Sequence, residues 1–241
     1  MLVRVTQKCT MGCTHCLVDA TPDGEHMPVE VFKQTLDFID RTGETFLQIS
    51  GGEPTDHPEL LTLLELAQGR VDHILLTSNG LFFEEPGRWE EIRPLISGIQ
   101  VTNDPRFYPR TVTVPEDGKI SLETAIRQVS PFGRALKNGL PCNRQSPLCF
   151  NLRSMTRSYR DLKKALLGLR MRGYYCTPSV NIDGSVAAGE TSFCTTIGQV
   201  TDDLDTLTRN LISMTCDRCG LVDQLGHDHK KAIGEARIIL L

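Results

Sequence analysis

The sequence predicts an α/β protein: a parallel sheet with crossover helices, followed by a small cysteine-rich β-hairpin/α segment. Three observations lead there. Strand-like and helix-like stretches alternate through the first half of the chain. Each polar or glycine-rich cluster in that half directly follows a strand. After Tyr175 the alternation gives way to a hairpin pattern and four cysteines. At 241 residues the chain can bury a full core, in one large domain or one domain with an appendage.

The elements follow in order. Residues 2–6 form a short apolar alternation, and a loop with three cysteines comes next. Pro28 opens a helix over residues 29–41, where Val31, Phe32, Leu36 and Ile39 fall at helical spacing. Residues 45–50 read as a strand broken by Gly51-Gly52, and residues 57–67 as a leucine-rich helix. Residues 72–77 form a third strand that ends at Ser78-Asn79-Gly80. A weaker helix over 88–95 precedes a fourth strand, 96–102, which runs into Asn103-Asp104-Pro105. This βαβα order argues for a parallel sheet, whose carboxyl-terminal strand ends gather on one face. A helix is expected over 121–129, irregular structure over 130–153 and an amphipathic helix over 157–172. Residues 179–182 and 185–188 flank Asp183-Gly184 as a β-hairpin, and residues 204–214 read as a helix.

Composition narrows the function. A net charge of −4 lacks the basic footprint that a phosphate backbone demands, so nucleic acid is not an expected partner. No apolar run is long enough to cross a bilayer, and Cys9 arrives before a signal-peptide core could form, so a cytoplasmic protein without a membrane partner is expected. In that reducing compartment, nine cysteines point to metal ligation rather than to disulfides.

Cys9-Thr-Met-Gly-Cys13-Thr-His-Cys16 is the strongest signal. Three thiolates on one loop leave an iron of a [4Fe–4S] cluster with open positions for a ligand. The spacing resembles the Cys-x3-Cys-x2-Cys signature of the radical S-adenosylmethionine superfamily, with His15 in the aromatic position before the last cysteine. Gly51-Gly52-Glu53-Pro54 resembles the family's segment that holds the methionyl amino group, and Thr77-Ser78-Asn79-Gly80 its polar segment near the ribose and carboxylate. Gly12 and Gly52 would permit close backbone approach there. The resemblance covers the first 105 residues or so and implies a partial (β/α) barrel of the radical SAM type.

That resemblance also implies a chemistry. The cluster on Cys9, Cys13 and Cys16 would cleave S-adenosyl-L-methionine reductively, and the 5′-deoxyadenosyl radical would take a hydrogen atom from substrate. It implies cofactor contacts at His15, Gly51, Gly52, Glu53, Pro54, Ser78 and Asn79, with an electron donor such as a flavodoxin or ferredoxin. Asn103 and Asp104 follow the fourth strand, so they either face the cofactor or cap a turn. Tyr108 either lines the substrate pocket or packs, and Arg134 faces a carboxylate at the site or forms a surface ion pair.

Cys176, Cys194, Cys216 and Cys219 resemble the auxiliary-cluster extensions called twitch and SPASM domains, with the shorter twitch form closer. They imply an auxiliary [4Fe–4S] cluster, with structural zinc or free core cysteines as the alternatives. Cys142 and Cys149 read first as buried cysteines, with ligation or a redox thiol left open. The expected organisation is thus a barrel over 1–172 and an auxiliary-cluster domain over 173–241. The expected function is net oxidation or bond formation on a small molecule or peptide. The few residues ahead of Cys9 hold no peptide-recognition domain, which tilts the expectation toward a small molecule. The rival is a non-enzymatic iron–sulfur or zinc protein for binding or redox sensing.

Overall fold

The computed structural model describes residues 1–126, 129, 132–141, 178–189 and 194–213. Among them, eight strands form one sheet in the order β5-β4-β3-β2-β1-β6-β7-β8. Strands β1 (Leu2–Thr6), β2 (Phe46–Gly51), β3 (His73–Ser78), β4 (Gly98–Thr102) and β5 (Ile120–Glu123) pair in parallel, each with the next. On the other edge of β1, β6 (Ser179–Val180) also runs parallel. β7 (Ser185–Ala187) and β8 (Thr196–Gln199) then add antiparallel.

Alternation sorts the strand residues into two faces. Val3 and Val5, Leu47 and Ile49, Ile74 and Leu76, and Ile99 and Val101 are buried in the main core. Helices α1 (Val29–Thr42) and α2 (Leu60–Ala67) add Phe32, Leu36, Ile39, Leu60, Leu63 and Leu64 to that core. Among the intervening residues, the polar Arg4, Gln48, Thr77 and Thr102 line a pocket on the opposite side, together with Leu2. One face of the sheet therefore builds the fold, and the other builds the site.

Helix α1 ends where Gly43 takes φ 64° and returns its N–H to the Asp40 carbonyl. At a left-handed stop of this kind glycine carries no Cβ penalty. Helix α3 (Arg88–Ile92) tightens into a 3₁₀ turn, Arg93–Leu95, at Pro94, which has no N–H for a further α-helical bond. A last helix, α5, spans Leu204–Ser213.

The expected helix over 121–129 is corrected: its first residues belong to the strand β5. Leu122 and Ile126 sit at helical spacing, but pairing with β4 satisfies the backbone, and Ile120 packs against the core. Within the expected irregular stretch, residues 133–137 form a short helix, α4 (Gly133–Lys137). The hairpin forms around Gly184, at φ 79°, whose N–H donates to the Asn181 carbonyl. It joins the main sheet through β6 rather than standing apart from it. The expected helix over 157–172 lies outside the described residues, as do Cys142, Cys149, Cys176, Cys216 and Cys219.

Ile49 is fully buried on β2, whereas Leu122 on β5 is 48% exposed. Ile49→Ala should therefore cost about 2–5 kcal/mol in chemical denaturation. Leu122→Ala should stay within about 0.5 kcal/mol of wild type.

Candidate functional site: a cysteine loop over a buried carboxylate

The four polar clusters follow β1, β2, β3 and β4, and because these strands are parallel they meet at one end of the sheet. The cysteine loop is stitched at its base. Gln7 N–H donates to the Glu25 carbonyl at 2.8 Å, and Cys9 N–H to the Thr21 carbonyl at 2.9 Å. Backbone from β2 closes the other side: Gly52 N–H donates to the Thr6 carbonyl and Glu53 N–H to the Lys8 carbonyl, each at 2.7 Å. A Cβ on Gly51 would lie 2.2 Å from the Thr6 carbonyl oxygen, and one on Gly52 at 2.2 Å from that of Lys8. Glycine is required at both positions by this close approach. Gly12 serves differently: open space surrounds it, and its φ of 70° makes the turn.

Glu53 is 1% exposed. Its Oε1 accepts from Thr55 N–H at 3.2 Å, Thr55 Oγ1 at 2.7 Å and Ser78 Oγ at 2.9 Å. Its Oε2 accepts from Asn79 N–H at 2.7 Å. No lysine or arginine pairs with it among the described residues. Burial pushes its pKa up, and these neutral donors only partly offset that shift. Glu53 is held in place by polar neighbours while its charge is left for a cation to balance.

Cys9, Cys13 and Cys16 line one pocket of about 270 Å³ together with Glu53, Ser78 and Asn79. Burial pushes the Cys9 thiol up to about 11 and the Cys13 thiol up to about 12, with the neighbouring Cys9 adding to the latter. Donors to sulfur include Ala20 N–H to Cys16 Sγ at 3.4 Å, Asn79 Nδ2 to Cys9 Sγ at 3.6 Å, and the Met11 backbone to Cys9. Thiols so withdrawn from water ionise readily only against a bound cation, which makes this donor set fit an iron–sulfur cluster. Among the described residues no three His, Cys, Asp or Glu side chains converge as one metal ion requires. A cubane instead takes each thiolate on a separate iron.

His15 also lines the pocket, packed 5.1 Å from the Phe107 ring and 5.4 Å from that of Tyr108. Burial lowers its pKa, and its Nδ1 is buried without a hydrogen-bond partner among the described residues. Tyr108 lines the pocket as well and shares a 2.7 Å hydrogen bond with Thr102 Oγ1. Gly51 and Gly52 line it through backbone, whereas Pro54 starts a 3₁₀ turn outside it.

Asn103 and Asp104 are buried beside the pocket rather than in its wall. The Arg106 guanidinium clamps the Asp104 carboxylate and holds its pKa well below the usual carboxylate range. The same carboxylate accepts from the backbone N–H groups of Arg106 and Ile126, so Asp104 caps a turn. Cys194 is half-buried and lies ahead of β8. Sequence reasoning passed over the polar floor of the pocket at Arg4, Gln48 and Ser50. Its only signal was a polar residue at every second position of a buried strand.

Comparison with known proteins finds similarity in the first part of the chain. Residues 3–102 match the Radical SAM superfamily. GTP 3′,8-cyclase of Desulforamulus reducens is 32% identical over 89 residues, 34% of this chain and 27% of the cyclase. The antilisterial bacteriocin subtilosin biosynthesis protein AlbA of Bacillus subtilis is 27% identical over 77 residues, 32% of this chain and 17% of AlbA. The chain thus matches well under two thirds of the length of either relative. The crystal structure of BtrN in complex with AdoMet and 2-DOIA superposes with a TM-score of 0.59 at 13% identity. That likeness is one of fold; it covers 97% of this chain and 90% of BtrN. No helix of the described residues is long and apolar enough to cross a membrane.

Because its folded pKa is raised, Glu53 binds its proton more tightly in the folded than in the unfolded chain. Ligand-free protein should lose stability as pH climbs from the ordinary carboxylate range through that raised pKa. Glu53→Gln should flatten this step in melting temperature measured against pH, with the larger gain over wild type on the alkaline side.

Proposed function

We propose that the chain is a radical S-adenosylmethionine enzyme. Cys9, Cys13 and Cys16 hold its [4Fe–4S] cluster, and Glu53 receives the methionyl ammonium of the cofactor. One observation carries this reading: a fully buried carboxylate with no cationic partner among the described residues shares a pocket wall with three cysteines. When bound, the cluster and S-adenosylmethionine supply one-electron reductive cleavage to a 5′-deoxyadenosyl radical, which removes a hydrogen atom from substrate.

The chain's own residues bind and orient. Ser78 Oγ and Asn79 N–H fix the Glu53 carboxylate so that its charge is aimed without reorganisation. Asn79 Nδ2 and Ala20 N–H donate to thiolate sulfur, an arrangement that favours the reduced, more negative site. His15, its pKa lowered by burial and its ring packed against Phe107 and Tyr108, offers a flat face to the cofactor and excludes water. Asn103 stays in the reading as a support: its Nδ2 reaches the Asn79 carbonyl. Asp104 supports by holding the turn from which Phe107 and Tyr108 project.

The substrate is a polar small molecule or a peptide side chain. Arg4, Gln48, Ser50 and Thr77 on the pocket floor support a substrate that brings its own hydrogen-bonding groups. An auxiliary [4Fe–4S] cluster on Cys176, Cys194, Cys216 and Cys219, in a segment over 173–241, would accept the second electron of a net oxidation. The first would leave substrate with the abstracted hydrogen atom, and a flavodoxin or ferredoxin would supply the separate electron that cleaves S-adenosylmethionine. A non-enzymatic metal protein would account for the cysteines but has no use for the buried Glu53.

Anaerobically reconstituted and reduced protein should convert S-adenosylmethionine to 5′-deoxyadenosine, detected by chromatography and mass spectrometry. Cys13→Ala should abolish this conversion. Glu53→Gln should weaken S-adenosylmethionine binding about tenfold or more, as expected for loss of a charge-assisted contact. Wild type that holds iron and sulfide but neither binds nor cleaves S-adenosylmethionine would rule the reading out.

A further inference from the structure

The cysteine loop has a second support, from a part of the chain more than a hundred residues away. Helix α4 ends its approach at Gly133, whose φ is 54°. A Cβ there would fall 2.5 Å from the Cys16 carbonyl oxygen and 2.4 Å from that of Leu17, so the contact requires glycine. Arg134 N–H donates to the Cys16 carbonyl at 2.9 Å. Its guanidinium then forks: Nη1 donates to the Cys13 carbonyl at 3.0 Å, Nη2 to the Ala20 carbonyl, and Nε to Asp19 Oδ1 at 3.1 Å. Asn138 Nδ2 donates to the Thr14 carbonyl at 2.8 Å, and Lys137 pairs with the other Asp19 oxygen. The carbonyls of Cys13, Thr14, Cys16 and Ala20 are thereby held from one short segment.

The clasp is also charged. Arg134 and Asp19 are withdrawn from water, with side chains 22% and 27% exposed, whereas Lys137 is 70% exposed and screened. A positive charge beside a redox site favours its reduced form, and a negative charge opposes it. We propose that Arg134 and Asp19 together position the cysteine loop and set the reduction potential of the cluster held on it, Arg134 raising the potential and Asp19 tempering that rise. This rests on the cluster reading above and extends it to residues outside the cysteine motif. Arg134 is a positioning residue: it reaches the loop through carbonyl oxygens and the cluster through its field.

The test compares wild type, Arg134→Gln, Arg134→Lys and Asp19→Asn, each anaerobically reconstituted as the full chain without S-adenosylmethionine. Iron and sulfide are quantified, and reduction is followed by electron paramagnetic resonance across poised potentials. Asn suits position 19, because that residue sits at φ 54°, a region Asn tolerates. At a fixed potential near the wild-type midpoint, Arg134→Gln should lower the ratio of reduced to oxidised cluster about threefold or more, and Asp19→Asn should raise it by a similar factor. Arg134→Lys should keep the wild-type ratio but release iron faster to a chelator, because lysine keeps the charge and loses the fork. Loosening of the loop alone would move Arg134→Gln and Asp19→Asn in the same direction. That result, or no movement in either, overturns the proposal. If Arg134→Gln takes up no iron, the opposite-sign shift in Asp19→Asn and the unshifted Arg134→Lys carry the decision. A wild type that holds no cluster overturns the functional reading itself.

Discussion

Everything at this site depends on two glycines pressed against a strand end. Gly51 and Gly52 bring the backbone after β2 within hydrogen-bonding distance of the backbone that leaves β1, and a side chain at either position would collide with a carbonyl oxygen. That approach fixes two things together. It pins the root of the cysteine loop at Thr6 and Lys8, and it turns Glu53 inward beneath the loop. A carboxylate buried this way costs stability. The chain tolerates the cost because Thr55, Ser78 and Asn79 occupy its lone pairs. The loop, the carboxylate and the third-strand turn are one construction rather than three adjacent motifs.

The division of the sheet explains how such a polar centre coexists with a stable fold. Aliphatic residues of β1 to β4 pack under the helices, and the residues between them give the pocket Arg4, Gln48, Ser50, Thr77 and Thr102. Polar side chains on this sheet face satisfy one another, as Gln48 does with Thr77 at 3.0 Å and Thr102 with Tyr108. The pocket is pre-organised by the same alternation that makes the strands.

Much of this was legible from residue order. The stretches at 45–50 and 72–77 announced strands, and polar clusters directly after them announced where the strands deliver chemistry. What escaped had physical reasons. β5 is four residues long on an edge, so its pairing with β4 decides its conformation and its own composition does not. Asp104 follows a strand as Glu53 does, but Arg106 two residues later captures it. Arg134 lies 115 residues from Asp19, and neither periodicity nor spacing connects residues so far apart. Beside Arg134 itself, Gly133 was a local hint, a poor helix former standing at the first position of a helix.

The placement of β6 has a consequence for how the chain is made. β1 lies inside the finished sheet, flanked by β2 and β6, yet its second neighbour comes from residues 179–180. During synthesis β1 to β5 emerge well before that partner. Until it arrives, β1 presents an open row of backbone donors and acceptors with the cysteine loop at its end, the kind of edge that recruits strands from other chains. Arg4 belongs to that edge, and its bonds to Ser179 and Asn181 form only when the hairpin docks. The nascent chain therefore passes through a vulnerable interval, closed late by a long-range contact that also braces Arg4 in the pocket wall.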